Sequence, residues 1–265
     1  MAPYNARTTS EEVVRDLADQ IKGKVILTTG VSPASIGATF VKSIAAAKPS
    51  LLILAGRNAA KIQETADAIT AANPDIKVRL LELDLGSLAE VRKSAALVNS
   101  WDDVPVIDAL ANNSGIMATE FALTVDGFER QFGTNHLAHF LFTNLVMSKI
   151  LASKAPRVVS VSSDAYMLSP IRFDDVDFKK GETYNKWQAY GQSKTGNTSS
   201  QGAATHVFAA FADEALRKHN GAYLVDAHVP DPNDKTVFQP WATSVHDSEK
   251  LWKLSEKLVG QKFAY

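Results

Sequence analysis

Apolar residues in this chain gather in short dense runs, separated by longer stretches with helical spacing. "KVILTTG" (24–30), "SLLILAGR" (50–57), "VIDALANNSG" (106–115) and "RVVSVSS" (157–163) are compact runs without polar alternation, and "KVRLLELDL" (77–85) alternates. All have strand length, and unbroken apolar runs predict strands covered on both faces. Between them, 34–48, 59–73, 87–100 and 124–153 carry helical spacing, the last as one long helix. A leading helix over 10–21 opens with the capping-box pair Thr9 and Glu12. Strand and helix alternate five times, which predicts an α/β fold: a doubly wound parallel sheet with helices on both faces. No repeat or linker interrupts the pattern, so 1–265 reads as one domain.

After residue 200 the rhythm weakens. A helix is expected at 201–218, a strand at "GAYLVDAHV" (221–229), and a closing helix at 246–260 with Leu251, Leu254 and Leu258 on one face.

Composition narrows the picture. The net charge of -1 gives no electrostatic case for nucleic acid or an anionic membrane. With no cysteine there is no disulfide, thiolate chemistry or Cys-held metal, which fits a reducing compartment. No apolar run approaches the ~20 residues that cross a bilayer, and the N-terminal stretch lacks a signal-peptide pattern. A soluble cytoplasmic protein is the expectation.

The first strand-to-helix loop, "TTGVSPASIG", has the place and composition to seat a dinucleotide pyrophosphate on a helix N-terminus. Gly30 allows the sharp turn and Gly37 close packing of the helix. Ser32, Ser35 and Ile36 share the loop, with Ser35 where a middle glycine is expected. At the second strand's tip stands Arg57 and no acid, which favours NADP, because a guanidinium pairs with a 2′-phosphate. Asp84 and Leu85 end the third strand; Asp84 is open to an adenine contact or to a helix-capping role. Asn112, Ser114 and Gly115 end the fourth, placed for ribose or nicotinamide contact or for sheet-end hydrogen bonding alone.

"YGQSK" puts Tyr190 and Lys194 at i and i+4 on one helix face. For proton exchange near neutral pH the phenol needs a downward shift of roughly 2–3 units, about 3–4 kcal/mol. A neighbouring ammonium and a nicotinamide cation both act in that direction. Ser163 could hold a substrate oxygen, and Asn135 could anchor a water beside Lys194. His136 and His139 sit at i and i+3 next to Asn135, with no carboxylate or Cys to complete a metal site. Trp241 and Trp252 read as packing anchors.

Taken in order, "TGVSPASIG", "LAGR", "LDL", "NNSG", Asn135, "VSSDAY" and "YGQSK" resemble the short-chain dehydrogenase/reductase family, most of all its retinol-dehydrogenase-like branch. The resemblance covers 10–195. It implies a catalytic tetrad of Asn135, Ser163, Tyr190 and Lys194, hydride transfer at nicotinamide C4 with Tyr190 as acid/base, and Lys194 on the nicotinamide ribose. It also implies a small apolar carbonyl or alcohol as substrate, and a homodimer or tetramer through the helices after strands four and five.

One departure stands out. Family members continue the Tyr/Lys helix, then add a sixth strand, a Pro-Gly turn and a substrate-covering loop. Here "TGNTSS" (195–200) leads straight into "QGAATHV", which resembles a later part of the same branch. The chain thus reads as a cofactor and catalytic part (10–200) joined to a remnant of the substrate part (201–265), lacking roughly 30 residues or more. The sheet would then be short at this edge. Either 221–229 fills the place beside strand five, or strand five is an exposed apolar edge and 221–229 keeps its usual family position. A catalytically impaired NADP-binding relative and a truncated product are the alternatives to an active enzyme.

Overall fold

The computed structural model describes residues 4–195, 202–231, 234 and 237–265. Five short apolar segments form strands: β1 (Val25–Thr29), β2 (Leu51–Gly56), β3 (Val78–Glu82), β4 (Ala109–Asn112) and β5 (Arg157–Ser160). They pair in parallel in the order β3-β2-β1-β4-β5. The chain winds outward from β1 to β3, then crosses to β4. The reversal between β1 and β4 opens a crevice at the carboxyl ends of these strands, where such sheets bind ligands.

The leading helix expected over 10–21 is parted at Leu17 into α1 (Ser10–Asp16) and α2 (Ala18–Ile21), while α3 (Ile36–Ala45), α4 (Ala59–Ala72) and α5 (Leu88–Asn99) match the spacing of the N-terminal half. Thr9 and Glu12 close the expected capping box on α1. Side-chain oxygens of Ser35, Asn58 and Ser87 cap α3, α4 and α5.

The expected long helix at 124–153 is broken. Gly127, at φ +85, turns the chain first. The Glu129 carboxylate then accepts from the N–H groups of Gln131 and Phe132 and starts α6 (Arg130–Phe132). A π-helical turn (Gly133–Leu137) follows, then α7 (Ala138–Leu145) and α8 (Met147–Leu151). Further on are α9 (Lys186–Thr195), α10 (Gly202–Phe211), α11 (Asp213–Leu216) and α12 (Val245–Val259).

The two sheet faces are separate apolar cores. Ile26, Leu52, Leu54, Ala111 and Val159 pack under α1, α3, α4 and α10, with Phe40 stacked on Phe211 at 6.5 Å. Leu27, Ile53, Ala55 and Leu110 pack under α5, α7 and the end of α12. Each fully buried large apolar side chain contributes roughly 1.5–3 kcal/mol. Phe40, Phe132, Phe142, Ile26 and Leu52 are among those with no exposed surface.

The expected strand at 221–229 does not form. Val225 and His228 exchange backbone hydrogen bonds of 3.1 and 2.9 Å around Asp226 and Ala227, both at positive φ. This tight turn folds the segment onto itself and buries Tyr223, Leu224 and Ala227. It pairs neither with β5 nor with another strand. The sheet is therefore short at this edge: among the described residues β5 pairs with β4 only, and Val158 is 41% exposed. A cavity of about 380 Å³ lies beside it, between α7, β5 and α12. "TGNTSS" lies outside the described residues beyond Thr195. Among the described residues, no helix is long and apolar enough to cross a membrane.

Candidate functional site

The loop from β1 to α3 is built around two glycines. Gly30 has φ +74, and a Cβ there would stand 2.6 Å from the Cα of Ser114. At Gly37 a Cβ would meet Asn113 Nδ2 at 2.4 Å and the Gly30 carbonyl at 2.5 Å. Both contacts hold the β1 loop against the end of β4. Ser35 stands where a glycine was expected because the position is the N-cap of α3. Its φ is -88, and its hydroxyl accepts from Ala38 N–H at 3.1 Å and donates to the Gly30 carbonyl at 3.1 Å. Besides Gly30, the loop has a second left-handed residue, Ala34, at φ +61. Ser32 accepts the Ser35 N–H at 3.1 Å, and Ile36 is half-exposed on the first turn of α3.

At the tips of the other strands the candidates divide. Arg57 follows β2, exposed, with no hydrogen bond or ion pair to any described residue. The strand expected to reach residue 85 stops at Glu82; Asp84 accepts the Gly86 N–H at 2.8 Å and shapes the turn before α5, while Leu85 is buried in the core. Asp84 thus makes a turn bond, while the N-cap of α5 is Ser87.

Asn112 turns away from the glycine loop. Its Nδ2 donates to Thr143 Oγ1 on α7 at 2.8 Å. Successive strand residues face opposite ways, so its neighbour Asn113 takes the crevice side. Asn113 Nδ2 donates to the carbonyls of Thr29 and Gly30 at 2.8 and 3.0 Å, and its Oδ1 accepts from His206 Nε2 of α10 at 3.2 Å. Ser114 N–H and Asn113 N–H both reach Thr29 Oγ1, at 2.9 and 3.0 Å. Thr29 and Asn113 lie inside the motifs "TGVSPASIG" and "NNSG" without being singled out as site residues, and His206 belongs to neither. The strand's face alternation was the signal that separates Asn113 from Asn112.

Asn135, Ser163, Tyr190 and Lys194 come together. Asn135 lies in the π-helical turn. Its Oδ1 accepts the Ile116 N–H at 2.8 Å; its Nδ2 donates to the Ile116 carbonyl and to Ser193 Oγ, both at 2.9 Å. It thereby ties the loop after Gly115 to α9. A Cβ on Gly115 would lie 3.2 Å from Asn135 Oδ1 and 3.4 Å from Lys194 Nζ. Gly191 lets the turn at 164–168 press onto α9, since a Cβ there would stand 2.6 Å from the Ala165 carbonyl. That approach sets Ser163 within hydrogen-bond reach of Tyr190.

Burial governs the charges here. Lys194 is 4% exposed, donates to the Val161 carbonyl at 3.0 Å, and sits 5.8 Å from the centre of the Tyr190 ring. Desolvation lowers its pKa to about 8. For Tyr190 the expected downward shift is reversed: burial pushes the phenol up, and the hydrogen bond with Ser163 only partly offsets this. His136 Nε2 meets Ser255 Oγ at 2.8 Å, and both ring nitrogens of His139 are engaged, by Thr29 and Asn135. Trp252 packs edge-on to Phe140 at 5.0 Å, and Trp241 Nε1 donates to the Tyr166 carbonyl at 3.2 Å.

A family model for short chain dehydrogenase matches residues 24–173. The chain belongs to the short chain dehydrogenase family. Short-chain dehydrogenase/reductase prx1 of Penicillium rubens is 31% identical, with 97% of this chain and 92% of the relative covered. That alignment spans 321 positions against a chain of 265 residues, so at least 56 positions of the relative have no counterpart here. Human retinol dehydrogenase 13 is 37% identical over 174 residues, which is 66% of this chain and only 51% of that protein. Among solved structures, an uncharacterized protein from Mycobacterium paratuberculosis superposes with a TM-score of 0.63 at 28% identity, covering 94% of this chain and 98% of that one. Membership makes the chain an oxidoreductase of the NAD(P)-dependent short-chain type, acting on small substrates.

Proposed function

We propose that the protein interconverts a small apolar carbonyl compound and its alcohol, using NADP and Tyr190 as the acid/base. The observation that carries this reading is the meeting of Tyr190, Ser163 and Lys194 at the β4 and β5 ends of the crevice, opposite the glycine loop.

The residues present fit a nicotinamide dinucleotide. The buried Lys194 ammonium has three N–H donors but, among the described residues, one acceptor, the Val161 carbonyl, and no carboxylate partner. Ribose hydroxyls would supply the missing acceptors. The Gly30–Gly37 loop and the N-terminus of α3 would take the pyrophosphate, and unengaged Arg57 the 2′-phosphate. When bound, the cofactor supplies or accepts the hydride.

The chain's own groups handle the proton. In reduction the carbonyl oxygen accepts a hydrogen bond from Ser163 Oγ and takes its proton from Tyr190 Oη; in oxidation Tyr190 Oη takes that proton back. Lys194 holds positive charge near the phenol and steadies the phenolate. Exposed Met117 and Leu168, on the loops that carry Gly115 and Ser163, favour an apolar substrate.

NADPH consumption against a panel of ketones and aldehydes tests the reading. Tyr190→Phe should lower turnover by 100-fold or more while NADPH still binds; unchanged turnover would sink the mechanism. The unmatched positions relative to prx1 favour a second reading, an NADP-binding relative with an incomplete substrate site. NADPH binding with no turnover on any carbonyl would select it.

A further inference from the structure

His139 is wholly buried on α7, one turn beyond Asn135, and neither ring nitrogen is idle. Nδ1 lies 3.0 Å from the Asn135 main-chain oxygen, and Nε2 lies 3.0 Å from Thr29 Oγ1. A carbonyl oxygen only accepts, so Nδ1 carries the proton. Nε2 is then a bare acceptor and the Thr29 hydroxyl donates to it, in preference to the Ala111 carbonyl at 3.5 Å. The same hydroxyl oxygen accepts the N–H groups of Asn113 and Ser114.

The Asn135 carbonyl is within the ring's reach because the helix is widened here: Ala138 N–H bonds back to Gly133, five residues away. The ring therefore joins two halves of the site. On one side are the ends of β1 and β4, which form the floor of the glycine loop. On the other is Asn135, whose side chain grips Ile116 and Ser193 beside Tyr190 and Lys194.

We infer that His139 is a positioning residue: a neutral imidazole in the Nδ1–H form that fixes the π-helical turn, and with it Asn135 and Lys194, against the floor of the cofactor crevice. Charge supports the neutral form. Burial, first, and the nearby Lys194 ammonium both disfavour an imidazolium, and the pKa falls to about 4. Its neighbours are Thr29 on β1, Lys194 on α9 and His136 in the π-helical turn. A fixed, uncharged link adds no second positive charge beside the Lys194 ammonium.

The inference rests on the proposed reaction for its consequence but not for its first test. Nitrogen-15 correlation spectra of the full chain should show His139 as the Nδ1–H tautomer, unchanged from pH 5.5 to 8. The Nε2–H tautomer, or titration within that range, would overturn the inference whether or not the chain turns over substrate.

The second test uses turnover. His139→Leu should lower kcat about 10- to 100-fold with KM changed less than threefold, and His139→Asn, which restores a donor to the Asn135 carbonyl, should recover much of it. Thr29→Val should lower kcat as well. The double variant with His139→Leu should be no worse than the poorer single, because both cut one link. Thermal unfolding confirms that each variant is folded. Additive losses, or wild-type kcat in folded His139→Leu, would overturn the positioning role. A wild-type chain with no turnover would count against the proposed function, and the tautomer alone would then decide.

Discussion

Lys194 Nζ lies 5.8 Å from the centre of the Tyr190 ring, and the two respond to burial in opposite directions. Losing water disfavours the charged form of each. For the lysine that form is the ammonium, so its pKa falls to about 8. For the tyrosine it is the phenolate, so its pKa rises. The free protein therefore holds the phenol protonated at neutral pH, ready to donate.

Reduction needs the protonated phenol and oxidation needs the phenolate. On the proposed mechanism, reduction rates should stay level from pH 6 to 8. Oxidation rates should climb as pH rises above 7, and Tyr190→Phe should remove both the rates and the climb. Initial-rate profiles in the two directions check this. Oxidation that is fastest at pH 6 would mean another group moves the proton.

Lys194 also makes stability depend on pH. Its folded pKa is depressed, so between about 8 and its usual 10.5 the unfolded chain binds more protons than the folded one. Stability then rises with pH across that window. The burial penalty is fully present below pH 8 and amounts to about 3 kcal/mol by the span of the shift. Lys194→Met should thus be the more stable protein at pH 7, by up to about 3 kcal/mol, while losing turnover. Urea unfolding at pH 7 and at pH 10 should show the gap closing at the higher pH.

The glycine loop offers the same exchange with opposite signs. Ala34 holds φ +61, where a Cβ costs about 1–2 kcal/mol. Ala34→Gly removes that strain but adds backbone entropy to the unfolded chain, leaving a gain of roughly 0.5–1 kcal/mol. Gly37→Ala drives a Cβ to within 2.4 Å of Asn113 Nδ2 and 2.5 Å of the Gly30 carbonyl. It should destabilise by about 1–3 kcal/mol and weaken NADPH binding. Denaturant midpoints and fluorescence titration measure both.

The sheet was legible in the sequence because its strands are dense apolar runs, and so were the capped helices that follow them. What misled was local chemistry overruled by packing. The apolar periodicity at 124–153 is real, but Gly127 and the Glu129 cap start the helix late, and a π-helical turn shifts its register at Asn135. "GAYLVDAHV" has strand composition, yet its middle folds into a turn and leaves β5 with one partner. In the site, Asn135, Ser163, Tyr190 and Lys194 are the candidates that motif, spacing and family resemblance name, and the fold brings them together. Sequence reading names Asn112 and not Asn113, because alternation puts the two on opposite faces without showing which face meets the crevice. His139 was weighed as a metal ligand, and its partners lie 110 residues away at Thr29 and four away at Asn135.

Arg57 gives the cofactor preference its own test. It stands at the tip of β2 with its guanidinium engaged by no described residue, and no acid follows Gly56 to hold ribose hydroxyls. A 2′-phosphate there would gain a bidentate, charge-assisted contact, typically about 1.5–3 kcal/mol. Arg57→Leu should therefore weaken NADPH binding roughly 10- to 100-fold. NADH lacks the phosphate, so its affinity should move by less than about threefold. Paired fluorescence titrations of both cofactors on both proteins give the ratio. The contact also depends on charge, so the wild-type preference for NADPH should shrink between 50 and 500 mM salt, while the Arg57→Leu protein should show little salt dependence in its ratio. Equal losses for the two cofactors would assign Arg57 to folding of the strand end instead.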